Sequence, residues 1–179
     1  MTSIDPHPYT QVVLDAWRRF ADGEADLDQT QAADFPGLVS QLFVLHRIGP
    51  SDFCFRHCGD SVQEMFGRDL AEHNFLTLWQ NADRALVAAV MDAALLDRGP
   101  AVLRAHAETL TGQTAELEIA LAPLVTAGAG KARFLGHCLA TRDGRRPPYR
   151  PFHKIQVSAA SPPAARTASP AIRLVASNI

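Results

Sequence analysis

A histidine following two phenylalanines on an extended run is the first place in this sequence where chemistry could gather. Asp52-Phe-Cys-Phe-Arg-His-Cys-Gly59 reads as a strand. Period-two alternation puts Phe53, Phe55 and His57 on one side and Cys54, Arg56 and Cys58 on the other. An imidazole on an apolar face can move a proton, hold a small ligand or bind a metal. The expectation for His57 is blander: a partly buried histidine hydrogen-bonded to backbone. Cys54 and Cys58 share a face roughly 13 Å apart by strand rise, too far for a disulfide, whose Cα atoms sit at most about 7 Å apart. Cys138 follows His137 on another strand-like run, and no spacing is of the CxxC type that holds zinc. Scattered structural thiols are expected.

Acid–base groups gather once more. Glu116 and Glu118 share a strand face and, with His106 and Glu108, offer proton donors and acceptors; a solvated sheet face is expected. Arg145, Arg146, Arg150 and Lys154 form a basic cluster able to touch acidic lipid or protein, for which a solvated linker is expected. No G-x-S-x-G, P-loop, H-E-x-x-H or dinucleotide fingerprint occurs. Ala127-Gly-Ala-Gly-Lys131 lacks the spacing of a phosphate loop and no helix follows it, so it reads as a hairpin turn.

Composition narrows the classes. The 179 residues are 47% apolar and 20% charged, with a formal charge of −2. That length suits one domain with a real core, and the charge gives no reason to invoke nucleic acid. No apolar run reaches the roughly 20 residues that span a bilayer, so no membrane insertion is expected. Three cysteines without a disulfide framework, and an N-terminus unlike a signal peptide, point to the cytoplasm.

The elements that must position these groups follow from periodicity. Val12, Val13, Trp17 and Phe20 make Tyr9–Ala21 an amphipathic helix, with Thr10 as cap and Gly23 as stop, docking on its own sheet or on a second subunit. Glu24 to Ala33 reads as a polar linker or short turn, and Phe35-Pro-Gly37 as the loop opening the main domain. Leu42–Arg47 and the 52–58 run form a hairpin across Gly49-Pro-Ser-Asp52. Short helical runs follow at Ser61–Phe66, stopped by Gly67, and at Asn74–Trp79. Asn81–Arg98 is the long helix, with a stripe of Leu86, Val87, Val90, Met91, Ala94 and Leu95. Strands are predicted at 101–110, 115–125 and 132–141. The order implies an α+β fold. Residues 1–34 form a lead-in and helix, 35–141 the domain, and 142–179 a Pro/Ala/Ser-rich tail. In that tail Ile155–Ser158 and Ile172–Val175 are apolar segments that add edge strands or bind a partner.

This order, together with several local runs, resembles a PAS-like family of small bacterial signalling proteins. The runs are Asp52-Phe53-x-Phe55-Arg56-x-x-Gly59, Phe66-Gly67-Arg68-Asp69-Leu70, Phe75-Leu-x-Leu-Trp79, Asp83-Arg84, Glu118-x-x-Leu121-x-Pro123-Leu124 and Phe134-Leu135-Gly136. The resemblance implies a PAS-like five-stranded antiparallel sheet with helices on one face, plus the N-terminal amphipathic helix. It also implies a non-catalytic sensory or protein-interaction module, with a sensor kinase or regulator as partner, and a homodimer is expected. A small ligand under the sheet would meet Phe53, Phe55, His57, Met65, Trp79 and Leu86. No cofactor is assigned: the long helix has no histidine to hold haem, and the Asn-Cys-Arg-Phe-like motif of flavin photosensors is absent. The alternative is a small α+β enzyme using His57 as base.

Overall fold

The computed structural model describes residues 5–22, 37–124, 132–140 and 151–163. Within them one antiparallel sheet is built from β1 (Leu42–Gly49), β2 (Asp52–Cys58), β3 (Ala101–Thr109), β4 (Thr114–Leu124), β5 (Arg133–Ala140) and β6 (Phe152–Ser161), in the order β2-β1-β5-β4-β3-β6. The sheet therefore has six strands where five were expected. The sixth comes from the stretch read as tail, where Ile155–Ser158 was expected to add an edge strand or bind a partner; it takes the edge-strand place along β3, with Ala107 opposite Ile155 and Thr109 opposite Phe152. Phe152 and Ile155 are its buried anchors. The rest of β6 is rich in Ser and Ala, weak strand formers, so its conformation is supplied by the edge of β3 rather than by propensity.

One face of the sheet is covered by α2 (Asp60–Phe66), a 3-10 turn (Phe75–Leu78) and α3 (Asn81–Asp97). Gly67 ends α2 in the left-handed conformation, φ +60°, which a residue without Cβ adopts most cheaply. Asn74 caps the 3-10 turn, its Oδ1 accepting from the Leu76 amide at 3.0 Å. In α3 the buried stripe is Val87, Val90, Met91 and Ala94, the i, i+3, i+4, i+7 set of one helix face. Leu86 sits one residue out of that phase and is 45% exposed.

The opposite face carries α1 (Pro8–Ala21). Leu14 packs on Val102 and Ala120, and the Trp17 indole donates to the Pro123 carbonyl at 2.8 Å. Of the two docking partners expected for this helix, it takes its own sheet. Its cap is His7, whose Nδ1 accepts from the Tyr9 amide, with Pro8 preset in the first turn. Thr10, the expected cap, lies inside the helix and is buried.

Both sheet edges are occupied. The Phe55 amide donates to the His73 carbonyl, and the Phe55 carbonyl accepts from the Glu72 amide. On β6 the Ile155 carbonyl accepts from the Gln80 amide, and the Val157 amide donates to the Asp83 carboxylate at 2.9 Å. Strand edges paired this way are poor templates for a further strand.

Candidate functional site

Four of the six residues expected around a ligand meet beneath the sheet, and two do not. Phe53, Phe55 and Trp79 are buried in the core cluster, and Met65 is partly buried against that cluster. Phe55 and Trp79 join Phe43 and Phe75 in one ring cluster, with centroids 5.4 Å apart for Phe43–Phe55 and 5.8 Å for both Phe55–Phe75 and Phe75–Trp79, and Phe53 pairs with Phe134. Such edge and tilted contacts fill space efficiently. Leu86 lies off this face, and His57 is exposed.

A bulge explains His57. Leu45 opposes Phe55 and Val44 opposes His57, so Arg56 is an extra residue in β2. One inserted residue inverts the alternation beyond it. His57 turns out to solvent, and Cys58 turns toward the core. Cys54 is buried but stands apart from that cluster, so the two cysteines face opposite ways, correcting the shared face read from the spacing. Burial pushes the Cys58 thiol up to about 11, with the Asp69 and Asp60 carboxylates adding to it. Burial pushes Cys138 up to about 12. These thiols are neutral at pH 7 and suit packing, not nucleophilic chemistry. Among the described residues, no group of three His, Cys, Asp or Glu is arranged to hold a metal ion.

Two further features border the core. Nε1 of Trp79 is a buried donor that meets no acceptor among the described residues. Nearby, a half-open cleft of about 290 Å³ has Phe66, Leu78, Leu110 and Ile155 among its lining, with Arg68 and His153 also on its wall.

The densest polar chemistry lies on the other face, where α1 crosses β4 and β5. Glu118, expected on a solvated face, is buried. Its carboxylate accepts from the His7 amide at 2.8 Å and from the Arg104 guanidinium at 3.4 Å. Arg104 also donates to the Asp5 carbonyl at 2.7 Å, so β3 and β4 together hold the lead-in to α1. His137, on β5, is fully buried. Its Nε2 lies 3.0 Å from Gln41 Oε1 and its Nδ1 lies 3.2 Å from Thr10 Oγ1. An amide oxygen only accepts, so Nε2 carries the proton and Nδ1 accepts from the threonine hydroxyl. Burial, helped by the charge of His7, pulls this imidazole down to about 4.

The residues assigned to solvent around this layer divide. His106 and Glu116 pair across β3 and β4 at the surface, and Lys154 reaches Glu108 at 3.7 Å. Only Glu118 is drawn under the helix. The available signal was Ala120 and Ala122 on the same face of β4, small side chains that leave room for a helix. The sequence names His137 only beside Cys138, with no sign of its place beneath α1. Arg145, Arg146, Arg150, the Glu24–Ala33 linker, Gly23, Phe35-Pro36, Ala127–Lys131 and Ile172–Val175 lie outside the described residues.

No helix among the described residues is long and apolar enough to cross a membrane. Among solved structures, the chain is similar to an RNA-binding light-oxygen-voltage receptor, at 12% identity and TM-score 0.44. That match covers 78% of this chain but only 36% of the receptor's. It is also similar to the PAS domain of a protein from Colwellia psychrerythraea, at 12% identity and TM-score 0.44, covering 63% of this chain and 97% of that one. The PAS domain of BvgS from Bordetella pertussis matches at 16% identity and TM-score 0.40, covering 64% and 90%. No curated protein matches. The family model described as PAS domain matches residues 6–139, from the cap of α1 to the end of β5, and the chain belongs to the PAS domain family.

Proposed function

We propose that this protein is a non-catalytic sensory module of bacterial signal transduction that acts by contact with a partner, such as a sensor kinase or regulator. PAS domains are sensory signalling modules. The observation that carries the reading here is the way α1 is attached. The core beneath the sheet is one large apolar cluster, whereas α1 docks outside it on the opposite face, through the buried Thr10, Val13, Leu14 and Trp17, the small apolar patch at Leu14 and two side-chain hydrogen bonds. An element docked outside the main core can leave while that core stays packed, and that is the two-state behaviour a signal needs.

With both sheet edges occupied, a homodimer would form through faces: the outer sheet surface and α1, where Phe20 is 43% exposed. Sedimentation at tens of micromolar tests this. A dimer that Phe20→Ser weakens is expected, and a strictly monomeric species refutes the dimer.

A small ligand is the second reading, favoured by the unused Trp79 donor. It would displace part of the ring packing around Phe53, Phe55, Met65 and Trp79, and its acceptor atom would face Nε1. Native mass spectrometry of protein from its own host would report such a ligand together with the oligomeric state. The enzyme alternative needs His57 in a pocket, and an exposed imidazole on a bulge gives it no support.

A further inference from the structure

We propose that the polar layer beneath α1 is a proton-binding site: uptake of a proton at His137 loosens α1 from the sheet, so the surface presented by this helix follows pH. The proposal rests on the reading of α1 as the signalling element and names what controls it.

The ring is fully buried, with α1 lying over it and a hydrogen-bond partner on each nitrogen. Thr10 donates to Nδ1 and Nε2 donates to Gln41, so both nitrogens are satisfied without charge. A second proton would sit on Nδ1 facing the Thr10 hydroxyl, which must then reverse, and it would place a cation where the side chain is shielded from water. The cost is therefore the buried charge and not a lost hydrogen bond, and the element that shields the ring at Nδ1 is α1 itself, through Thr10. Moving the helix away opens the ring to solvent, so the released state is the one that accommodates the charge.

The ionisable groups around the ring do not offset this. His7, at the cap of α1, adds like charge when protonated. Glu118, on β4, is the carboxylate of this layer and is engaged by the His7 amide and Arg104 of β3. His46 of β1 and Arg133 of β5 pair with each other further along the same face and bring no negative charge. Asp15 of α1 is held by Arg18.

The sign follows from linkage. The docked imidazole titrates at about 4 and a solvated one at 6.5. Release is therefore unaffected by proton uptake above pH 6.5 and is promoted as pH falls from 6.5 toward 4. The release constant should rise about 30-fold between pH 8 and pH 5, approaching about 300-fold below pH 4.

Hydrogen exchange of the full chain between pH 5 and pH 8, corrected for the chemical rate, tests this. Protection of amides in residues 11–21 should fall about 30-fold toward pH 5 while β4 stays protected, and His137→Gln should flatten the dependence. Unchanged protection of α1 in the unmodified protein, or an equal fall in His137→Gln, overturns the proposal. If that variant does not fold, the NMR titration of His137 in the unmodified protein decides: a midpoint below 5 supports the site and one near 6.5 refutes it. Leu14→Ala at pH 8 loosens α1 without a proton and separates the two readings. If Leu14→Ala alters dimerisation but acid does not release α1, the signalling reading stands and the proton site falls. If acid releases α1 and dimerisation is unmoved, the proton site stands and the signalling reading falls.

Discussion

Replacing Gly136 by alanine sets two physical expectations against each other. A glycine inside a strand costs roughly 0.5–1 kcal/mol relative to alanine through its extra freedom when unfolded, so propensity alone predicts a more stable protein. The structure predicts the opposite. Gly136 lies between Phe43 of β1 and Leu121 of β4, and the Phe43 ring lies across its backbone. A Cβ built there would stand 2.0, 2.1 and 2.5 Å from three atoms of that ring. The ring has little room to retreat, because Phe55 and Phe75 pack against it at 5.4 and 5.8 Å. Overpacking of this kind costs about 1–3 kcal/mol, and a clash of more than 1 Å at three atoms belongs at the upper end. Net of the entropy gain, Gly136→Ala should lose about 2 kcal/mol, or roughly 4–8 °C in Tm for a chain of this size. Urea unfolding followed by tryptophan fluorescence would measure it. In a Phe43→Leu background the alanine should cost at least about 1 kcal/mol less, since the obstructing ring is gone. Equal or higher stability of Gly136→Ala, or the same cost in both backgrounds, would refute this account of the glycine.

Other outcomes follow from the same coordinates. Glu118→Ala should cost about 1–3 kcal/mol by leaving the His7 amide without its acceptor, whereas Glu116→Ala, at the surface, should stay within about 0.5 kcal/mol; thermal denaturation at pH 7 separates them. Thiol titration at pH 8 should be slow for native Cys138, raised to about 12, and fast for all three cysteines after unfolding; rapid native labelling of Cys138 would contradict its burial. Gly67→Ala should destabilise by more than the roughly 1 kcal/mol of a left-handed alanine, because its Cβ would stand 2.5 Å from Pro151. A loss no greater than that, by chemical denaturation, would mean the chain entering β6 yields freely.

How far the sequence carried can be judged residue by residue. Asn74, Gly67 and the Val87–Ala94 stripe act locally, through a cap, a left-handed stop and a helix face, and each was legible in a window of a few residues. His57 was misplaced because a bulge at Arg56 inverts the phase of the strand. Phe-Cys-Phe-Arg-His-Cys is compatible with either phase, and only pairing with β1 selects one. Glu118 was read as solvated and His137 only as the neighbour of Cys138, because their surroundings come from α1 and the residues leading into it, more than a hundred residues away.

By itself, the chain determined what depends on neighbouring residues: five of the strands, the helices, the Gly67 stop, and the local runs that resemble the PAS family. Tertiary structure decided what depends on distant surfaces meeting. It chose between the two roles open to Ile155–Ser158 and extended that segment into β6, along the open edge of β3. It buried Glu118 and His137 under a helix that a polar pattern would not place there. The physical reason is the same in both cases: pairing and burial are properties of an interface, and an interface is not written in either partner alone.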